Sequence, residues 1–261
     1  MTNTTYDLDN PTITTLLNRR SIRAFADETI PADVVDVLET VAQHAASSQY
    51  LNDWSAIRVT DPAVKAKLAE IGHQPYIAQA PLLYVFVLDE HRNAEIAAAK
   101  GVDVDSEAFT LNGSYRYSQA QNDAVLALHA METAAYSLGL GCVILGSLLN
   151  DVQGLIDLLK LPKYTYPVLG LAIGRPAQDP ALKPRLPKSV QIFENAYPAD
   201  SGTLLNDIAD FDAAVHQYYD LRNTDRPVDA FSDQIAKNAV APMGSKTVEP
   251  IAKAQGFRLD R

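Results

Sequence analysis

A single cysteine, Cys142, means that no disulfide can form within this chain. No uninterrupted apolar run approaches the roughly 20 residues that a bilayer-spanning helix requires. The opening stretch Met1–Asp7 has neither the basic start nor the apolar segment of a secretory signal, so a cytoplasmic location is expected. Positive charge is scarce as well. The formal net charge of −10 argues against nucleic acid and anionic membrane as partners, because both reward basic surface.

Familiar catalytic patterns are missing too. Gly139-Leu140-Gly141 lies between a helical pattern and the following strand, the reverse of a Rossmann entry, and the third glycine is absent. There is no Walker lysine loop and no Gly-x-Ser-x-Gly elbow. The five histidines, His44, His73, His91, His129 and His216, are scattered, with no HxxxH pair or carboxylate cluster to suggest a metal. Cys142 sits inside an apolar run, the setting of a core thiol rather than a nucleophile.

What is present is an ordinary folding composition, 47% hydrophobic and 21% charged over 261 residues, enough to bury a large core. Against the acidic background, Arg19-Arg20-Ser21-Ile22-Arg23 stands out. Three guanidiniums and a hydroxyl in five residues suit a multiply charged anion, since the planar fork of arginine keeps its charge at any cellular pH. The competing reading is a helix C-terminus whose basic residues complement the macrodipole. Lys183-Pro184-Arg185 forms a second basic cluster in a proline-rich connection. An anion seat without acid–base or nucleophilic machinery points to a bound cofactor that supplies the chemistry.

Helical spacing predicts helices over 31–46, 62–71, 122–138, a stretch after Asn150 or Asp151, and 204–221. Strands are expected over 55–60, 80–88, 142–145 and 167–174, the second of these covered on both faces. Residues 90–121 hold an alanine-rich helix and then an acidic, polar stretch reaching Tyr115 and Tyr117. They read as a variable lid or insertion, in which the two tyrosines either shape a pocket or simply pack. The small apolar face of 122–138 is buried either within the chain or against a second one. One α+β domain over 1–261 results, with a C-terminal arm over about 222–261.

The order of the pieces is more telling than any single piece. Arg19 to Phe25, then Ser47-Ser48, Gln74, Ile77-Ala78-Gln79-Ala80-Pro81, Ser137 to Gly146, and Leu182-Lys183-Pro184-Arg185-Leu186-Pro187 follow one another at a characteristic spacing. This series resembles the FMN-dependent nitroreductase family, in particular its oxygen-insensitive NADPH nitroreductase and flavin reductase group, over about residues 10–240. The resemblance implies a mostly antiparallel sheet flanked by helices, in an intertwined homodimer with FMN at the interface. It implies that Arg19, Arg20, Ser21 and Arg23 contact the flavin phosphate, ribityl chain and pyrimidine edge. Ser47 and Ser48 would reach it from the other copy, with Gln74 nearby. Ile144, Leu145 and Gly146 would lie against the isoalloxazine, Lys183 and Arg185 would hold the phosphate, and Arg222 matches a position linked to NADPH.

No side chain is implied as catalytic, the chemistry residing on flavin N5. The implied activity is ping-pong reduction of nitroaromatics, quinones or related flat acceptors by NADPH. The alternatives are an NADPH:FMN reductase that releases reduced flavin, or a flavin- or anion-binding module without turnover. Two departures from the family pattern stand out: Arg19 where histidine is frequent, and Ser147 where a second glycine is frequent. Ser147 would narrow the room beside the ring.

Overall fold

The computed structural model describes residues 8–199, 202–220, 229–241 and 247–261. They divide into two compact units, Met1–Pro180 with Gly244–Arg261, and Ala181–Met243. The first unit is built on one sheet of four strands: β1 (Trp54–Arg58), β2 (Leu82–Asp89), β3 (Gly141–Leu145) and β4 (Thr165–Gly174). Their spatial order is β1-β2-β4-β3, and every neighbouring pair is antiparallel.

The two central strands are buried on both faces, which is why they read in the sequence as continuous apolar runs. Tyr84, Phe86, Leu171, Ile173 and Cys142 point to one face, and Leu83, Val85, Val87, Val143 and Ala172 to the other. Pro167 lies inside β4, where it cannot donate to the ladder. The register slips at that point: Phe86 pairs with Leu169 and Val87 with Pro167, leaving Val168 as the extra residue of a bulge.

One face of the sheet carries α2 (Ala32–Gln43) and α5 (Ser114–Ser137). Pro31 precedes α2 as its cap residue, and Val35, Leu38 and Ala42 form its buried stripe. Ala120, Ala124, Ala127 and Ala135 line the buried side of α5, which lets this 24-residue helix approach the strands closely. It begins at Ser114 rather than at the expected residue 122, so Tyr115 and Tyr117 stand on a helix and not in a loop. Its first two turns, residues 114–121, are largely polar and carry little apolar period, which hides them in the sequence. The alanine-rich helix expected after residue 90 is α4 (His91–Ala99).

The opposite face carries α3 (Pro62–Gly72) and α6 (Val152–Leu159). Asp61 caps α3 by accepting from Ala63 N at 2.8 Å, and Asp151 caps α6 by accepting from Gly154 N at 2.9 Å. A short helix, α1 (Pro11–Asn18), opens the described chain, with its N-cap Asn10 accepting from Ile13 N at 3.1 Å.

The last described stretch, 247–261, belongs to this first unit. Ahead of the final α10 (Val248–Ala254), α7 (Leu204–Asp207), α8 (Ala209–Asp220) and α9 (Phe231–Ala239) lie in the second unit. Ala252 and Phe257 are buried beside Tyr117, Tyr166 and Leu88, so the end of the expected C-terminal arm is part of the core. Ser114 N donates to Arg261 O at 2.7 Å, and Arg258 N to Asn112 O at 2.7 Å. In the second unit Phe211 and Phe231 meet edge to face at 5.2 Å, and Ser232 N donates to Asp212 Oδ1 at 2.9 Å. Among the described residues, no helix is long and apolar enough to cross a membrane.

Phe257 is a strong point of this arrangement, buried and edge-on to Tyr117 at 5.1 Å and to Tyr164 at 6.3 Å. Phe257→Ala is expected to lower unfolding free energy by about 3–5 kcal/mol, read as a reduced urea midpoint at unchanged slope.

Candidate functional site

The arginine segment does not continue α1. It leaves the helix at Arg19 in extended conformation and lies alongside β3. Ile22 N donates to Cys142 O at 2.9 Å, and Ala26 N donates to Arg175 O at 2.9 Å. Gly141 makes this approach possible, because a Cβ there would stand 2.6 Å from Ile22 Cγ1. The Tyr136 hydroxyl donates to Arg20 O at 2.9 Å and is 3.2 Å from Cys142 O, tying α5, β3 and the segment together.

The three guanidiniums then part company. Arg19 turns inward to Glu132 Oε1 at 2.9 Å and lies 5.7 Å from the centre of the Tyr136 ring. Glu132 is 2% exposed, so Arg19 is the counter-charge of a buried carboxylate. Arg20 pairs with Asp179. Both Arg19 Nε and Arg20 Nε are buried without a hydrogen-bond partner. Arg23 lies in charge and hydrogen-bond contact with the phenol of Tyr76, which burial pushes up and Arg23 opposes.

Tyr76 connects Arg23 to the remaining pieces. Its hydroxyl donates to Gln74 Oε1, which also accepts from Ser147 Oγ at 3.3 Å. Arg23, Tyr76, Gln74 and Ser147 are therefore one polar chain, ending next to Gly146. A Cβ at Gly146 would meet only Leu169 Cδ2, at 3.9 Å, so the fold itself does not demand glycine there. The residue keeps an open cradle at the end of β3. Ser147 turns its hydroxyl to Gln74 instead of across that cradle. Strand alternation leaves Ile144 36% exposed and sends the Leu145 side chain into the core, where it can offer only backbone.

Ser47 and Ser48 begin a separate loop. Ser47 Oγ accepts from Asn52 N at 2.7 Å, while Gln49, Tyr50 and Asn52 all have left-handed backbone near φ 52–58°. Asp123 of α5 holds both ends of the loop, accepting from Ser48 N at 3.0 Å and from Asp53 N at 3.4 Å. Among the described residues, no hydrogen bond or ion pair joins this loop to the Arg23–Gly146 group.

Beneath the loop lies a buried acidic group that the sequence reading did not find. Asp53, Glu90 and Asp123 are all within 2% of full burial, with Asn93 Nδ2 donating to Asp53 Oδ1 at 2.7 Å. Burial and the charge of Asp123 push Asp53 up to about 6, and burial and the charge of Asp53 push Glu90 up to about 8. Glu90 is thereby biased towards its protonated form. The available signal was the pair Asp89-Glu90, two acids directly after the apolar run that ends at Leu88.

Lys183 and Arg185 belong to the second compact unit, where Arg185 Nη1 donates to Lys183 O at 2.8 Å and Pro184 O at 3.2 Å. Arg222 lies outside the described residues. Cys142 is fully buried, and burial pushes its thiol far up, as befits a core residue. No group of three or more potential metal ligands exists among the described residues.

Comparison with known proteins adds to this geometry. The profile of the Nitroreductase family matches residues 16–175, and that of the Nitroreductase family, C-terminal domain, matches 183–260. A Bacillus subtilis protein named FMN reductase (NADPH) is 34% identical over 227 residues, covering 87% of this chain and 90% of the relative. A Staphylococcus aureus NADPH-dependent oxidoreductase is 35% identical over 217 residues, covering 82% and 85%. The solved structure of the NfrA1 nitroreductase from B. subtilis superposes with a TM-score of 0.86 at 32% identity, covering 94% of this chain and 98% of that one.

Two outcomes follow from the geometry. Gly141→Val must displace Ile22, and with it the arginine segment; a loss of about 1–3 kcal/mol in chemical unfolding is expected. Glu90 has a higher pKa folded than its ordinary 4.5, so the folded state binds the extra proton. Its contribution to stability is full below about 4.5 and is lost as pH rises through about 8. Glu90→Gln should therefore shrink the fall in melting temperature between pH 5 and pH 9, by on the order of 2–4 °C if about 1 kcal/mol is involved.

Proposed function

This chain belongs to the nitroreductase family and is an NAD(P)H-dependent flavin oxidoreductase, and from that premise we propose that it holds FMN on the Arg20–Arg23 and Gly146 surface to reduce flat acceptors with NADPH. Nitroaromatics and quinones are the acceptor class. The observation that carries this reading is the cradle at Gly146, which the fold leaves open and which adjoins the chain Ser147–Gln74–Tyr76–Arg23. A planar ring can approach backbone there as no side chain would allow.

The donor set fits the same group. Gln74 uses its amide oxygen on Tyr76 and Ser147, which fixes the amide and leaves its nitrogen to donate to a polar ring edge. Arg23, braced by Tyr76, places a permanent positive charge beside that edge. The orphan Nε of Arg20 is a further donor. Lys183 and Arg185 are assigned to the phosphate, with Pro184 and Pro187 stiffening their loop. Arg19, engaged by Glu132, is assigned to anchoring the segment, and Ser21 to a ribityl contact. Bound FMN would supply the two-electron chemistry; the protein contributes binding, orientation and charge. Arg222 is assigned to NADPH.

A second copy of this chain is proposed as the partner. In the second unit only Ile208 and Val215 are buried among the described hydrophobic residues, while Leu204, Leu205, Ile192, Tyr197 and Val240 are more than half exposed. So few buried residues cannot make a core for a unit of that length. Ser47 and Ser48 are assigned to the cofactor of that second copy. A second enzymatic reading, release of reduced flavin to another protein, takes its support from the name of the B. subtilis relative.

An absorbance spectrum before and after anaerobic NADPH tests the proposal. Flavin bands should bleach with NADPH and return with a quinone or nitroaromatic; no bands after incubation with FMN would sink it. Rapid turnover of added FMN with weak retention would select the second reading. Arg23→Ala should weaken FMN affinity by about 10- to 100-fold, the worth of one charge-assisted hydrogen bond, as measured by flavin fluorescence on titration.

A further inference from the structure

Two carboxylates under the Ser47–Asp53 loop are only half satisfied by the protein around them. Asp53 and Glu90 are fully buried, and Asn93 Nδ2 stands between them, 2.7 Å from Asp53 Oδ1 and 3.5 Å from Glu90 Oε2. The second oxygen of each, Asp53 Oδ2 and Glu90 Oε1, is buried without a partner among the described residues, although nearly all polar atoms at this depth have one. The two side chains are in hydrogen-bond contact with each other. A single proton on the pair lets one carboxyl donate to the other, which answers both orphans at once. The charged groups that face the pair both come from α5. Asp123 adds a negative charge, and Arg116 adds a positive one while its Nη2 donates to Gln49 Oε1 at 2.9 Å. Asp89 of β2 turns away, to Ser55 and Arg92.

The same groups hold the loop in place. Asp53 closes it, Asn93 Nδ2 also reaches Leu51 O at 3.2 Å, and Asp89 N donates to Asp53 O at 2.9 Å. Ahead of Asp53, the left-handed backbone at Gln49, Tyr50 and Asn52 is one that such residues keep only where surrounding contacts impose it. We propose that Asp53 and Glu90 form a proton latch: one shared proton seats the Ser47–Asp53 loop on the start of α4, and its loss frees the loop. Without that proton, three carboxylates face a single guanidinium in a dry site, and opening to water relieves them. The sign follows from Glu90, raised from 4.5 to about 8 with the loop seated and returned to its ordinary value with the loop open. The latch is at full strength below about 4.5, weakens as pH rises, and is spent above about 8. The inference rests on the functional reading above in one respect, that Ser47 and Ser48 on this loop are assigned to a cofactor.

Amide hydrogen exchange read by mass spectrometry tests the latch directly, with each rate divided by the intrinsic rate at that pH. In the purified protein, protection of the 47–53 segment should fall by about tenfold or more from pH 5.5 to pH 8.5, while protection of β2 holds. Glu90→Gln puts a permanent donor in the place of the proton and should level that fall. Asp53→Asn supplies the donor from the other side of the pair and should level it likewise, which keeps the test open if the first variant does not fold. Loop protection that is flat in the parent protein would overturn the proposal. So would a fall equally steep in the folded variant, or one that β2 shares.

The flavin spectrum of the same samples reports separately on the cofactor reading. A protein that takes up no FMN but shows the Glu90-dependent exchange would refute that reading and leave the latch standing. In flavin-loaded protein, FMN should dissociate faster at pH 8.5 than at pH 5.5 by a larger factor in the parent than in Glu90→Gln. Titration of the flavin phosphate cancels in that comparison. Equal factors would overturn the link between the latch and the cofactor.

Discussion

The ion pair between the half-buried Arg19 and the buried Glu132 is the constraint on which the candidate site depends. A carboxylate 2% exposed in the middle of α5 is tolerable only with a counter-charge in place, and removing one partner of such a pair is far more damaging than replacing both. Arg19 supplies that charge from outside the helix. The chain just after it is thereby held against β3, where Tyr136 and the Ile22–Cys142 hydrogen bond fix it. Arg20, Ser21 and Arg23 inherit their positions from this anchor. The same carboxylate also meets His129 Nδ1 at 3.2 Å, so a single buried acid organises a basic segment at a helix surface.

The fold was legible wherever apolar pattern and geometry agree. β2 and β4 announce themselves as unbroken apolar runs, and Asp151 announces the start of α6. The pattern failed where apolar periodicity is weak. The first two turns of α5, residues 114–121, are largely polar, which is why Tyr115 and Tyr117 read as loop residues. Of the candidate site, the residue types were legible but their division of labour was not. Nothing in Arg19-Arg20-Ser21-Ile22-Arg23 says which guanidinium turns inward, because Glu132 is more than a hundred positions away. Tyr76, which braces Arg23, was passed over for the same reason.

The site that emerges is assembled from donors and permanent charges, without an acid or base poised to move a proton. Arg23, Gln74 and Ser147 form a fixed polar edge, and Gly146 provides a flat approach beside it. Such an arrangement suits an enzyme in which a bound ring performs the chemistry and the protein sets its charge, orientation and neighbours. The acidic group under the Ser47–Asp53 loop is of another kind, since its proton count enters the stability of the fold.

Gly146 has a consequence for how such a chain can change over time. Most positions in a packed core are guarded twice, because a substitution that spoils function also weakens the fold. At Gly146 the surrounding protein would accept a methyl group without a clash. Packing within the single chain therefore does not by itself require glycine at this position.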